Sequence, residues 1–234
     1  DSLTTASNTT AIGSWALAGN TTGASNTGIG YRALYSNTTA SENTAVGYQA
    51  AYTNTTGTGL VAVGSGAFYS VTSAANSVAV GKESLYYDTT GESNVAMGFR
   101  ALYSNTTASN NTAVGYNAGL ANTTGVQNTF VGTEAGYTNQ AGGYNTFIGR
   151  RAGYTSNASA NALNTCVGYN AGYSLTTGAQ NCFLGQSEPS AGYGAGHFVT
   201  SGSKNTILGG YNGNQNGLDI RTASNNIVLS DGDG

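Results

Sequence analysis

Charge is what this sequence has least of: 7% of its 234 residues are Asp, Glu, Lys or Arg, against roughly 25% in an average soluble domain. The formal net charge of −3 is small and scattered. With no basic run, the chain shows no electrostatic footprint for nucleic acid or an anionic membrane. Histidine and proline occur once each, at His197 and Pro189. A single histidine excludes two-His zinc sites and most His-based triads. The two cysteines, Cys166 and Cys182, make no disulfide framework. They stand at adjacent, oppositely facing positions of successive repeat units and read as buried free thiols. No run of eighteen or so apolar residues and no charged-then-apolar leader is present, so neither membrane insertion nor a secretory signal is predicted. Glu188 with His197, and Asp231 with Asp233, come nearest to metal ligation, but a pair on a loop and two carboxylates in a tail read as solvated groups. No catalytic residue, cofactor or metal is predicted, and the chain reads as non-enzymatic.

What fills the space is Gly, Asn, Thr, Ser, Ala and Tyr, and it is periodic. Glycines close a five-residue pattern, Asn111-Thr-Ala-Val-Gly115 being one copy, at Gly13, Gly30, Gly47, Gly64, Gly81, Gly98, Gly115, Gly132 and Gly149, with a constant 17-residue interval. Further copies end at Gly168, Gly185 and Gly209. A period of this length held over so many units marks a solenoid in which each coil stacks on its neighbours. The Thr/Val/Ile-rich pentapeptide between Asn and Gly reads as a short strand, and one unit is long enough for two short strands and two turns. The predicted fold is therefore all-β, a parallel β-solenoid or β-roll of about twelve 17-residue coils. Residues 1–185 form its regular part and residues 186–234 its irregular terminal coils.

Two columns of each unit are apolar. Just before the glycine stands Ile12, Ile29, Val46, Val63, Val80, Met97, Val114, Val131, Ile148, Val167, Leu184 or Leu208, a position that never accepts a polar residue and reads as buried. Two positions before the glycine stands Gly28, Ala45, Ala62, Ala79, Ala96, Ala113, Phe130, Phe147, Cys166, Phe183 or Ile207, on the opposite face of the strand. A strand apolar on both faces calls for a second packing partner, most simply identical chains around an axis. A third column, four residues after the glycine, exchanges volume with the second. It is Leu17, Leu34, Ala51, Phe68, Leu85 and Leu102 where the strand residue closing the same unit is Gly or Ala, and Gly119, Gly136, Gly153 and Gly172 where that residue is Phe or Cys. The two columns are predicted to fill one layer.

Tyrosine recurs at Tyr35, Tyr52, Tyr69, Tyr86, Tyr103, Tyr137, Tyr154 and Tyr173, a spacing that suggests rings layered along the axis. Asn-Thr-Thr closes the loop at Asn20, Asn37, Asn54, Asn105 and Asn122. These asparagines suit turns and are also acceptor sites for N-linked glycans. After Gly185 the regularity breaks into longer intervals. Loops there carry the candidate surface-recognition residues Tyr193, His197, Tyr211 and Arg221, with a segment that caps the last coil as the other reading.

Asn76-Ser-Val-Ala-Val-Gly81 resembles the signature repeat of trimeric autotransporter adhesin heads. Asn111 to Gly119, Asn-Thr-Ala-Val-Gly-Tyr-Asn-Ala-Gly, is similar to repeats of phage tail-fibre-like proteins, as is the ending Asn225-Asn-Ile-Val-Leu-Ser-Asp-Gly-Asp-Gly234. The resemblance covers nearly the whole chain and implies left-handed parallel β-rolls bundled as a homotrimer. In that family such an ending often precedes a carboxyl-terminal chaperone domain cleaved after assembly. The expected role is a structural, extracellular fibre segment for attachment to a host cell surface, with identical chains and a host-surface glycan or protein receptor as partners. The alternative is a bacterial surface adhesin or an extracellular filament subunit, glycosylated and assembled end to end.

Overall fold

A computed structural model describes residues 6–157, 161–186 and 192–230. The chain falls into two compact units, Asp1–Asn111 and Thr112–Gly234, each a parallel β-solenoid. The first carries β1 (Thr10–Ile12), β2 (Thr27–Ile29), β3 (Thr44–Val46), β4 (Val61–Val63), β5 (Val78–Val80) and β6 (Val95–Met97). The second carries β7 (Thr112–Val114), β8 (Thr129–Val131), β9 (Thr146–Ile148), β10 (Thr165–Val167), β11 (Cys182–Leu184), β12 (Thr206–Gly209), β13 (Asn214–Gln215), β14 (Leu218–Asp219) and β15 (Ile227–Ser230). Within each unit successive strands pair in parallel with equivalent positions opposite one another, as in Thr27↔Thr44 and Thr129↔Thr146. In the second unit β12 pairs with β15, and β13 and β14 form a small antiparallel hairpin between them.

Each regular coil holds one strand of three residues rather than the two expected. The rest of the turn is built from backbone that sequence patterning cannot see. After Gly30 the chain alternates: Arg32 and Leu34 both have left-handed backbone, with φ of 55° and 51°. The same two positions are left-handed in coil after coil, whether occupied by Arg, Gln, Glu, Leu, Ala, Phe or Gly. The Arg32 amide donates back to the Ser14 carbonyl at 3.0 Å, and the Leu34 amide forward to the Ala50 carbonyl at 3.0 Å. Left-handed backbone costs an L-residue about 1–2 kcal/mol. Hydrogen bonds to both neighbouring coils offset that cost, since an unpaired buried amide costs at least as much.

The shared layer exists. An ideal Cβ on Gly28 would lie 3.1 Å from Leu17 Cγ, so the leucine occupies the space the glycine leaves. In the second unit Cβ atoms on Gly136 and Gly153 would come within 2.5 Å of the Phe130 and Phe147 rings. The nearest partner of these glycines is thus the strand residue of their own coil, six positions earlier, rather than the one closing the unit. Gly172 touches both kinds, at 2.6 Å from Cys166 Sγ and 3.2 Å from Phe183 Cδ2.

The burial of the two strand columns reverses part of the expectation. The Ala/Phe column is the interior: Ala45, Ala62, Ala79, Ala96, Ala113, Phe130, Phe147 and Phe183 are fully buried. The uniformly aliphatic column faces outward, and Ile12, Met97 and Ile148 are 58%, 44% and 38% exposed. Cys166 is buried and Cys182, on the outward face, only half-buried; both are free thiols, and burial raises the Cys166 thiol well above its ordinary range.

Two asparagine ladders close the ends of the coils. In one, Asn37 Nδ2 donates to Asn20 Oδ1 of the preceding coil at 2.8 Å and to the Ala40 carbonyl at 3.0 Å; Asn54 repeats this with Asn37 and Gly57. In the other, the asparagine before most strands accepts with Oδ1 from the next coil's backbone, as in Asn43 N to Asn26 Oδ1 at 3.0 Å; Leu60 and Ser77 interrupt this row. Where the ladders run, these bridges between successive coils satisfy polar groups that are otherwise sealed from water.

Candidate functional site

The outward face of the strands is a continuous surface feature of each unit. Ile12, Ile29, Val46, Val63, Val80 and Met97 form a row in the first unit, and Val114, Val131, Ile148, Val167, Leu184 and Leu208 one in the second, all partly or largely exposed. Beside each runs the Thr/Val column of the strand starts, from Thr10 to Val95 and from Thr112 to Thr206. A contiguous apolar row of this kind marks an interaction surface far better than scattered exposed residues do.

A second edge is aromatic. Tyr35, Tyr52, Tyr69, Tyr86 and Tyr103 stack in sequence, with centroids 4.9–5.5 Å apart. Tyr137, Tyr154 and Tyr173 do the same in the second unit at 5.0 and 4.9 Å. Basic side chains lie over these rings: Arg32 over Tyr35, Arg100 over Tyr103 and Arg151 over Tyr154, at 5.1–5.5 Å. Two of them are also ion-paired across adjacent coils, Arg100 to Glu83 at 2.7 Å and Arg151 to Glu134 at 2.6 Å. The Arg100 guanidinium holds the Glu83 carboxyl below its ordinary value, while burial and the Tyr87 hydroxyl push Tyr103 up to about 12. Gly66 leaves a gap in this charged row, a shallow cavity of about 150 Å³ lined by Tyr48, Gln49, Ser65, Tyr69, Glu83 and Tyr86. Ligand pockets run to roughly 300–1,000 Å³, so the gap is half the size of a small one.

No family model, curated protein or solved structure matches this chain.

The four candidate recognition residues separate into two places. Tyr193 and His197 meet at 4.9 Å, and Phe198 packs on both at 4.8 Å. His197 also continues the tyrosine stack, 4.9 Å from Tyr173 and nearly parallel to it; burial lowers its proton affinity below that of an ordinary imidazole. Tyr211 is buried, its hydroxyl donating to the Leu218 carbonyl at 2.7 Å. Arg221 is exposed and bidentate on Asp219, at 3.0 and 2.7 Å. Tyr211 and Arg221 thus brace the β13–β14 hairpin, which no sequence signal had singled out.

The five asparagines read as glycan acceptors, Asn20, Asn37, Asn54, Asn105 and Asn122, are all fully buried. Their Nδ2 atoms donate to the carbonyl three residues on, at 2.9–3.0 Å. A folded coil offers none of these nitrogens for modification; turn chemistry and ladder chemistry are what the triplet supplies. Among the described residues no group of three or more His, Cys, Asp or Glu could hold a metal ion, and no helix is long and apolar enough to cross a membrane. Glu188, Asp231 and Asp233 lie outside the described residues.

Proposed function

We propose that this chain is a structural segment of an extracellular fibre, non-enzymatic, assembled as a homotrimer and used for attachment to a host cell surface in the manner of phage tail fibres. The observation that carries the reading is the exposed aliphatic row on the strands. An invariant apolar column that the coil's own interior does not use is suited to burial against copies of itself, and a closed three-chain arrangement buries it on every chain at once. The resemblance of the Asn-Thr-Ala-Val-Gly repeat to tail-fibre-like and adhesin-head repeats supports the same assembly. Host attachment then belongs to surfaces the assembly leaves open, of which the Tyr193–His197–Phe198 cluster is the candidate here.

Mass measurement in solution tests the assembly. Three chains per particle are expected at micromolar concentration, and a monomer would overturn the reading. Introducing Val131→Lys, Ile148→Lys and Val167→Lys together should give monomers whose circular dichroism still reports the solenoid. An unpaired polar group buried at an interface costs roughly 1–3 kcal/mol, and each trimer would bury nine such lysines. Attachment is read separately, as saturable binding of the labelled assembly to intact bacterial cells.

A further inference from the structure

One rung of the first asparagine ladder is an aspartate, and its chemistry differs from that of its neighbours in a single proton. Asn20, Asn37, Asn54 and Asn105 each place Nδ2 on the carbonyl three residues ahead, at 2.9–3.0 Å. Asn54 Oδ1 accepts from the Gly57 amide at 3.0 Å. Asp88 occupies the same column, fully buried. Its Oδ1 accepts from the Gly91 amide at 3.0 Å and from Asn105 Nδ2 of the next coil at 3.1 Å, which are the contacts of an asparagine oxygen in this ladder. Oδ2 must then sit where the other rungs carry Nδ2, directed at the Gly91 carbonyl. Two oxygens that both accept repel each other; one proton between them restores the hydrogen bond. Oδ2 is indeed a buried oxygen that no protein donor reaches. On its other side the preceding coil supplies Val71, fully buried and apolar, where Asn37 and Asn54 meet an asparagine.

We propose that Asp88 is a proton-holding rung: its carboxyl is carried neutral in the folded coil, with Oδ2 donating to the Gly91 carbonyl, so that the first unit tightens in acid and loosens as the pH rises. No charged side chain acts on this carboxyl from the coil before, its own coil or the coil after. Glu92, the acidic residue nearest in sequence, is exposed to solvent. Burial is the dominant influence, opposed by the Gly91 amide, the Asn105 side chain and the Thr89 amide, and it pushes the Asp88 carboxyl from its ordinary 3.8 up to about 7. Because the folded value is raised, the stabilisation is fully present below about pH 4. It declines from there as the unfolded chain ionises, and is lost as the pH passes about 7.

The test compares the full chain with Asp88→Asn, which supplies a permanent donor at the same place. Urea unfolding of the two proteins should give similar midpoints near pH 4. The wild type should then fall progressively behind, its folding constant dropping relative to the variant by on the order of a hundredfold to a thousandfold by pH 8. Parallel pH profiles would overturn the proposal, as would an Asp88→Asn protein no more stable than wild type at pH 8. Carbon-detected titration of the Asp88 carboxyl in the unmodified protein is an independent readout. A midpoint in the ordinary aspartate range removes the neutral rung whatever the variant does, and one near neutrality supports it.

Discussion

Phe147→Ala is expected to destabilise the second unit by about 3–5 kcal/mol, the range for emptying a buried phenylalanine site, and Gly153→Leu added to it should recover more than half of that loss. The ring of Phe147 is fully buried and fills the space beside Gly153, where an added Cβ would lie 2.5 Å from it. Alone, Gly153→Leu should therefore also destabilise, by about 1–3 kcal/mol or more through overpacking. Together the two changes rebuild the arrangement of the first unit, where Leu85 stands six residues after the strand alanine Ala79 and both are buried. The backbone already suits the leucine, since Gly153 has φ of 58° and Leu85 has φ of 48°. A double-mutant cycle by chemical denaturation should show coupling of opposite sign to the single losses. Additive losses would mean that the two columns do not share a layer.

That exchange was legible in the sequence because it leaves a trace in residue size at a constant spacing. Which face of the strand looks inward was not. Val114 belongs to a column that is always Ile, Val, Leu or Met and Ala113 to one that holds Gly, Ala, Phe, Cys or Ile, and hydrophobicity alone favours the first as core. The interior beside the strand is thin, however, and its volume is already occupied by Leu34 or Leu85 reaching across from the turn. Size matching, not uniform hydrophobicity, identifies the buried column. The left-handed positions were invisible for a related reason: Leu, Arg and Gln give no local hint of positive φ, and here bonds to adjacent coils impose it. Asn37 could be read as a turn former from its Asn-Thr-Thr context, but its tie to Asn20 of the preceding coil needs the coils to be stacked first. Of the candidate surface residues, Tyr193 keeps partial exposure, while Tyr211 shows why aromatic residues in a polar loop are poor guides: its ring anchors the hairpin from within.

Gly132→Ala is expected to cost about 3 kcal/mol or more, with no second substitution able to recover it. Gly132 has φ of 129°, a conformation that a residue with a Cβ holds at a cost of roughly 1–3 kcal/mol. The new methyl carbon would also stand 2.6 Å from the Gly149 carbonyl oxygen and 2.7 Å from its carbon. Those are backbone atoms of the next coil, so relief requires β8 and β9 to move apart and their pairing to weaken. Gly192→Ala is the control: φ is similarly left-handed at 68°, but nothing lies within 4 Å of the added carbon, and about 1 kcal/mol is expected from conformation alone. Thermal unfolding followed by circular dichroism should separate the two variants clearly. Equal effects would show that coil spacing at the glycine column is looser than the contacts imply.

The alternation of amides between the coil before and the coil after also sets how such a chain can fold. One coil by itself leaves the amides of Arg32 and Leu34 without acceptors, because the Ser14 carbonyl belongs to the coil before and the Ala50 carbonyl to the coil after. The nucleus is therefore several adjacent coils formed together, and its entropy cost is the barrier. Every later coil closes a loop of the same length onto a finished edge that already presents its carbonyls, its asparagine oxygens and its tyrosine ring. Growth within a unit then proceeds by nearly equivalent short-range steps, and lengthening it by further turns of the same kind adds stability without adding to the barrier.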